Sequence, residues 1–180
     1  KTISENNKVS EYTLDFLREA DFNITGIRYE KVDENKNFIT TFEHTVENEN
    51  GEEKYYLNKN EESLGTLRIF GLETIILKAK EMNALLAIDE IETSLHNQLL
   101  YKLLFDFLKV VSTSQLIVTT HNDSLLELVD DLIRKDSVYF IDKDKAGVSD
   151  LYKLIDFKGI DKLSSIREAY RYKRFGATMK

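Results

Sequence analysis

The chain's 180 residues suffice for one domain with a sizeable core. A net charge of -7 gives no bulk support for a nucleic-acid-binding face, which would have to rest on a local basic patch. The lack of cysteine excludes disulfides and cysteine-based zinc sites. No apolar run reaches the length of a membrane span and no signal peptide opens the chain, so no membrane association is expected and a cytoplasmic protein is the default. Proline is also absent, and the sequence starts in polar residues without an initiator methionine. It reads as a segment of something longer, or as residues joined across gaps.

Residues 1–60 are more polar than the rest. Glu11 to Ala20 suggests a short surface helix, with Leu14, Phe16, Leu17 and Ala20 on one side and Thr13, Asp15, Arg18 and Glu19 on the other. Ile24 to Val32, Asn37 to Val46 and Lys54 to Leu57 are strand candidates. The Asn48-Glu49-Asn50-Gly51 turn between the last two favours positive backbone angles. A small antiparallel sheet is expected here. A long helix to about Lys80 follows, with Leu64, Leu67, Gly71, Ile75 and Ala79 at helical spacing. Ser63 and Gly65 sit at its start. A serine there caps free backbone N–H groups, or those groups bind a phosphate that the glycine allows close.

Leu85-Leu86-Ala87-Ile88 is a short apolar run that ends abruptly in Asp89-Glu90. Because it does not alternate, it reads as a buried and parallel strand. The acids then fall at the C-terminal edge, where ligands bind in open α/β sheets. Adjacent carboxylates suit magnesium–phosphate chemistry: one holds the ion, the other polarises a water. The bland alternative is a strand followed by an acidic turn.

Ile91 to His96 forms the next turn, and a helix from Asn97 to about Val111 carries Leu99, Leu103, Phe107 and Val110 on one face, widened by Leu100, Leu104 and Leu108. Gln115 to Thr120 is a second strand, which completes a βαβ unit. His121 closes that strand, where an imidazole could donate to a terminal phosphate oxygen. Ser124 to Leu132 reads as a helix. Ser137 to Ile141 and Val148 to Leu154 read as a hairpin around Asp142-Lys143-Asp144 and Ala146-Gly147. Asp161 to Arg174 reads as a final helix whose Arg167, Arg171, Lys173 and Arg174 either complement its dipole or form a basic cluster.

In ordered succession, residues 61–177 resemble the C-terminal half of an ABC-type ATPase domain. They are most similar to the AAA15-like or overcoming-lysogenisation-defect-like ATPases, relatives of the SMC, Rad50 and RecF group. Glu62-Ser63-Leu64-Gly65-Thr66 looks like a degenerate signature motif, Leu85 through Asp89-Glu90 like Walker B, Glu92 to His96 like a D-loop, and Thr119-Thr120-His121-Asn122 like the switch-histidine segment. Arg134-Lys135-Asp136, Lys143 to Gly147, Ser149 to Tyr152 and Tyr172 to Ala177 are similar to the family's tail. The resemblance implies a partial P-loop NTPase fold of α/β class, with a parallel sheet core, flanking helices and a small N-terminal antiparallel region. Residues 1–60 would be the variable region and 61–180 the C-terminal ATPase segment.

It also implies roles. Asp89 would support magnesium, Glu90 would activate the attacking water, and His121 would sense the γ-phosphate. Ser63 and Gly65 would contact the γ-phosphate of ATP bound by the other protomer of a homodimer, and Glu92 to Leu95 would line the interface. ATP and Mg2+ are the implied cofactors. A nuclease or toxin effector, in phage defence, is the implied partner.

One departure is serious. None of the seven glycines begins a Gly-x-x-x-x-Gly-Lys-Ser/Thr loop. The Walker A half is expected N-terminal to this segment or in another chain, or has been lost, and the segment alone is expected to be inactive. Two other readings stay open at this point. One is a noncatalytic interaction module on the same fold. The other is a metal-dependent Toprim-like nuclease using Glu90 with Asp142 and Asp144.

Overall fold

A computed structural model describes residues 7–19, 23–31, 38–49 and 51–176. The chain divides into two compact units, Lys1–Thr119 and Thr120–Lys180. Ala20, Val32, Asn37, Asn50 and Ala177, named above in predicted elements or motifs, lie outside the described residues.

The first unit opens with helix α1 (Asn7–Glu19) and strands β1 (Ile24–Lys31), β2 (Phe38–Asn48) and β3 (Gly51–Asn58). The strands form an antiparallel sheet in the order β1-β2-β3. Gly51 pairs with Asn48 at the hairpin and takes φ +114°, a conformation that glycine adopts without a Cβ penalty. Helix α1 is amphipathic as its spacing predicts, but Thr13 is fully buried beside Phe16 and Leu17 rather than surface-facing. On central strand β2, Glu43 is held by Lys54 Nζ at 2.8 Å and Arg28 Nη2 at 2.9 Å. The Lys54 hydrogen bond, foremost, brings its carboxyl down to about 2.

Helix α2 (Leu64–Met82) follows, capped by Ser63 at its start and by Asn83 in the left-handed conformation at its end. Its buried face is Thr66, Ile69, Leu72, Glu73, Ile76 and Ala79. Leu64 and Ile75, placed by spacing on the buried side, are exposed. The helix is apolar around much of its circumference, so periodicity could not choose a face. Phe42 of β2 meets Phe70 of α2 edge-on at 5.4 Å and fixes the sheet against the helix.

Strand β4 (Leu85–Ile88), helix α3 (Asn97–Lys109) and strand β5 (Gln115–Val118) form the expected βαβ unit, with Leu85–Ile88 pairing in parallel with Gln115–Val118. α3 buries Leu100, Leu103, Leu104 and Phe107, and leaves Leu108 and Val110 exposed. The strand pair departs from the expected burial. Leu86, Ile88, Leu116 and Val118 are half-buried, whereas Leu85 (59% exposed), Ala87 and Ile117 (56%) face outward. A non-alternating run is apolar on both faces, and among the described residues only one face is covered.

The second unit begins after Thr119 with a 3-10 segment, Asp123–Leu128, in place of the predicted helix Ser124 to Leu132. Strands β6 (Tyr139–Lys143) and β7 (Ser149–Lys153) make the predicted hairpin, turning at Gly147 with φ +86°. The predicted helix Asp161 to Arg174 is cut to α4 (Ile166–Arg171), preceded by a 3-10 turn at Ile160–Lys162. Gly159 takes a left-handed φ, and the hydroxyl of Ser165 accepts from Glu168 N at 3.1 Å, so the helix starts five residues late. This unit packs on its own core of Val129, Phe140, Leu154, Ile160, Ile166, Ala169 and Phe175.

Glu73 is a buried ionisable group of the first unit's core, 1% exposed, and its Oε2 has no hydrogen-bond partner. Burial, with the nearby Asp106 charge, raises its carboxyl to about 8, and Lys80 and Lys102 offset this only in part. Between pH 4.5 and 8 the unfolded chain ionises this group while the folded chain keeps it protonated. Stability therefore falls as pH rises through that window. Glu73→Gln is expected to raise stability at pH 8 by on the order of 2–4 kcal/mol and to flatten the pH 5–8 slope in urea unfolding. An unchanged slope would show that Glu73 is ionised when folded.

Candidate active site

The candidate site is built at the C-terminal ends of β4 and β5. Parallel pairing in register brings Asp89, just past β4, beside Thr119, just past β5. The Thr119 hydroxyl donates to Asp89 Oδ1 in a short hydrogen bond and accepts from Glu90 N at 2.9 Å. One side chain thus fixes both acids. The backbone joins in: Thr119 N donates to Ile88 O at 3.0 Å, and Ile91 N donates to Thr119 O at 3.1 Å.

Glu90 has φ +46°, a left-handed conformation that costs a residue with a Cβ about 1 kcal/mol. It turns the chain off the strand and is exposed, while the next residue, Ile91, is fully buried. Thr93 Oγ1 donates to Glu90 Oε2 at 3.3 Å, and Arg68 Nη2 from α2 donates to Glu90 O at 3.4 Å. The following turn is closed by Thr93 N to Glu90 O at 3.0 Å and Leu95 N to Glu92 O at 2.8 Å.

The start of α2 lies against this turn. Ser63 Oγ accepts from Thr66 N at 3.0 Å, the capping role weighed for it. A Cβ added to Gly65 would come within 3.1 Å of Ser94 O, so the two backbones approach closely where glycine stands. Ser94 itself has φ +63°. Of the five sequence-predicted site residues, Ser63, Gly65, Asp89 and Glu90 therefore lie in one unit, with the first two on the turn that follows the last two. His121 lies in the second unit, is exposed, and is followed by a tightly bonded segment. Asn122 N donates to Thr120 Oγ1 at 2.9 Å, and Asn122 Oδ1 accepts from Ser124 N at 3.0 Å and Ser124 Oγ at 2.6 Å.

The basic cluster near the C-terminus has a local partner. Arg167 Nε donates to Asp123 Oδ1 at 3.0 Å, and Arg171 Nη2 reaches the same oxygen at 3.2 Å. These guanidinium groups, Arg171 foremost, lower the Asp123 carboxyl below its usual range. Asp144 serves the hairpin turn, its Oδ1 accepting from Ala146 N and Val148 N at 2.8 Å each. Among the described residues, no group of three or more His, Asp or Glu side chains is gathered as a metal site. The pairing of an exposed carboxylate with a hydroxyl, Asp89 and Thr119, fits a hard cation that takes oxygen ligands and retains water. Sequence reasoning gave Thr119 no role of its own. Its signal was a hydroxyl at the end of the strand paired to the acid-bearing one.

Residues 3–127 match the family described as AAA domain, putative AbiEii toxin, type IV TA system. The chain belongs to this family. This AAA-type ATPase domain is also similar, at TM-score 0.59 and 14% identity, to a solved chain from work on ATP-driven dimerization and DNA-stimulated activation of SMC ATPases. That similarity covers 99% of this chain and 97% of the other, and gives the P-loop NTPase-like α/β fold expected from the sequence. No curated protein sequence matches. Among the described residues, no helix is long and apolar enough to cross a membrane.

Two substitutions test the geometry without reference to activity. Glu90→Gly is expected to raise unfolding stability by about 1 kcal/mol, because glycine adopts the left-handed backbone freely. Thr119→Val is expected to cost about 1–3 kcal/mol, because it removes the bonds to Asp89 and Glu90 together. Denaturant unfolding reads both, and a less stable Glu90→Gly would argue against strain at this turn.

Proposed function

We propose that this domain binds and hydrolyses ATP as half of an ABC-type dimeric ATPase of the AAA15-like or overcoming-lysogenisation-defect-like kind. The supporting observation is the acid pair fixed by Thr119 at the ends of two parallel strands, with the Ser63–Gly65 helix start packed on the turn behind it. In this reading Glu90 is the general base for the attacking water. Its exposed carboxylate, oriented by Thr93, suits that role. Asp89 and Thr119 would hold Mg2+, which when bound neutralises charge on the β- and γ-phosphates. His121 would donate to the γ-phosphate.

Ser63 and Gly65 would act on the nucleotide of a second copy, and Glu92 to Leu95 would line that interface. Leu64, 74% exposed beside Ser63, is consistent with a face that meets another chain. The ATP-driven dimerization of the SMC ATPases points the same way by analogy. The family's toxin description is in keeping with a toxin effector that the domain would drive or gate. A nuclease as that effector, a role in antiviral defence and a cytoplasmic location rest on the resemblance to the overcoming-lysogenisation-defect-like ATPases. Residues 1–60 would be the variable region of the domain and 61–180 its catalytic C-terminal part.

Turnover requires a glycine-rich phosphate loop and its lysine, which this sequence lacks. The reading therefore assigns that loop to a further segment or chain, without which the present segment is inactive. The outward row of Leu85, Ala87 and Ile117 is the kind of apolar sheet face such a piece would cover. In protein carrying the loop, Glu90→Gln is expected to lower kcat about 100-fold or more while ATP binding persists. His121→Ala and Ser63→Ala should also lower kcat, the latter without loss of ATP binding. Turnover equal in wild type and Glu90→Gln would sink the proposal, and absence of nucleotide binding would favour a noncatalytic module.

A further inference from the structure

Outside the candidate site, the first unit buries one polar pair that the chemistry above does not use. His44 Nε2 on β2 forms a short contact with Glu62 Oε1 in the loop before α2. The side chains are 9% and 3% exposed. The His44 ring stacks on Tyr55 of β3 at 5.1 Å with the planes 8° apart, so the imidazole is held by the sheet rather than by the loop. Glu62 directly precedes Ser63, whose hydroxyl and carbonyl accept from Thr66 N at 3.0 Å and Leu67 N at 3.1 Å.

Burying such a pair is costly unless each group satisfies the other, so its geometry is tightly constrained. Phe42 and His44 project from the same face of β2, being two residues apart. They meet α2 and its preceding loop at Phe70 and Glu62. The first contact fixes where the helix lies against the sheet. The second fixes its N-terminal end. Only five residues separate the end of β3 at Asn58 from the start of α2 at Leu64. They are folded back by Glu61 N and Glu62 N donating to Asn58 O at 2.9 and 3.2 Å, so the loop has little slack.

We propose that the His44–Glu62 pair is a positioning device that ties the antiparallel sheet to the helix start and sets the placement of Ser63 and Gly65. The proposal rests on the reading of Ser63 and Gly65 as nucleotide contacts. It makes the three-stranded sheet, far from the acids in sequence, a determinant of turnover. A change in β2 moves the segment that serves the second copy's nucleotide while leaving Asp89 and Glu90 in place.

The test uses the protein with its phosphate loop, and two readouts. In hydrogen exchange, His44→Ala is expected to speed exchange at the Thr66 and Leu67 amides by about ten-fold or more, with Ile76 to Ala79 unchanged. In turnover, it is expected to lower kcat several-fold with little change in ATP binding, whereas Glu62→Gln, which keeps an acceptor for Nε2–H, retains most activity. Glu62→Ala carries the same expectations should His44→Ala not fold. Even acceleration along the whole of α2, or none at Thr66 and Leu67, overturns the proposal. So does intact turnover in His44→Ala when Ser63→Ala has lost it. If Ser63→Ala itself leaves turnover intact, the reading of Ser63 as a phosphate contact fails, and the exchange result alone decides whether the pair holds the segment.

Discussion

The hydroxyl of Thr119 is the small group on which the site depends. It can reach Asp89 and Glu90 only because β4 and β5 run parallel and in register, so that both strands end at the same level. A one-residue slip would turn every side chain of the pair to the opposite face. The acids would then lose both their shared partner and the turn that presents Glu90. The parallel register is itself set by α3, which returns the chain to the start of β5 and buries Leu100, Leu103, Leu104 and Phe107 in doing so.

Each unit also has polar groups withdrawn from solvent, satisfied to different degrees. His44 and Glu62 are hydrogen-bond partners and the Asp123 carboxylate lies between Arg167 and Arg171, and each contact holds a segment that carries a candidate site residue or directly follows one. Glu73 lacks a partner at Oε2, and burial, foremost, with the Asp106 charge added, holds its carboxyl at about 8. The first two fix local geometry. Glu73 makes the core sensitive to pH without an evident role in the site.

Family membership and fold agree on an AAA-type ATPase domain, and the missing phosphate loop then becomes the central fact about mechanism. Carboxylates alone can orient water and a cation, but they repel the phosphates they act on. The loop's backbone N–H groups and lysine are what offset that repulsion. The proposed division of labour follows from this charge argument: an anionic half, presented here, works only against a phosphate-binding half supplied elsewhere.

The sequence by itself determined the order of the elements, the parallel βαβ unit and the position of Asp89-Glu90 at its edge. A short apolar run that stops at two carboxylates leaves few alternatives. Ser63 as a cap and the hairpin at Gly147 were legible for the same reason, since local backbone chemistry demands those residue types. Only the tertiary structure decided which face of α2 is buried, because a helix apolar around much of its circumference has no clear preferred side until something packs on it. It alone showed that the predicted helices Ser124 to Leu132 and Asp161 to Arg174 are shortened or replaced by 3-10 turns. The ion pairs between Asp123 and the arginines join residues more than forty apart, beyond any local pattern. Thr119's hold on both acids was hidden likewise: a hydrogen bond between neighbouring strands is a property of register, and register exists only once the chain has folded.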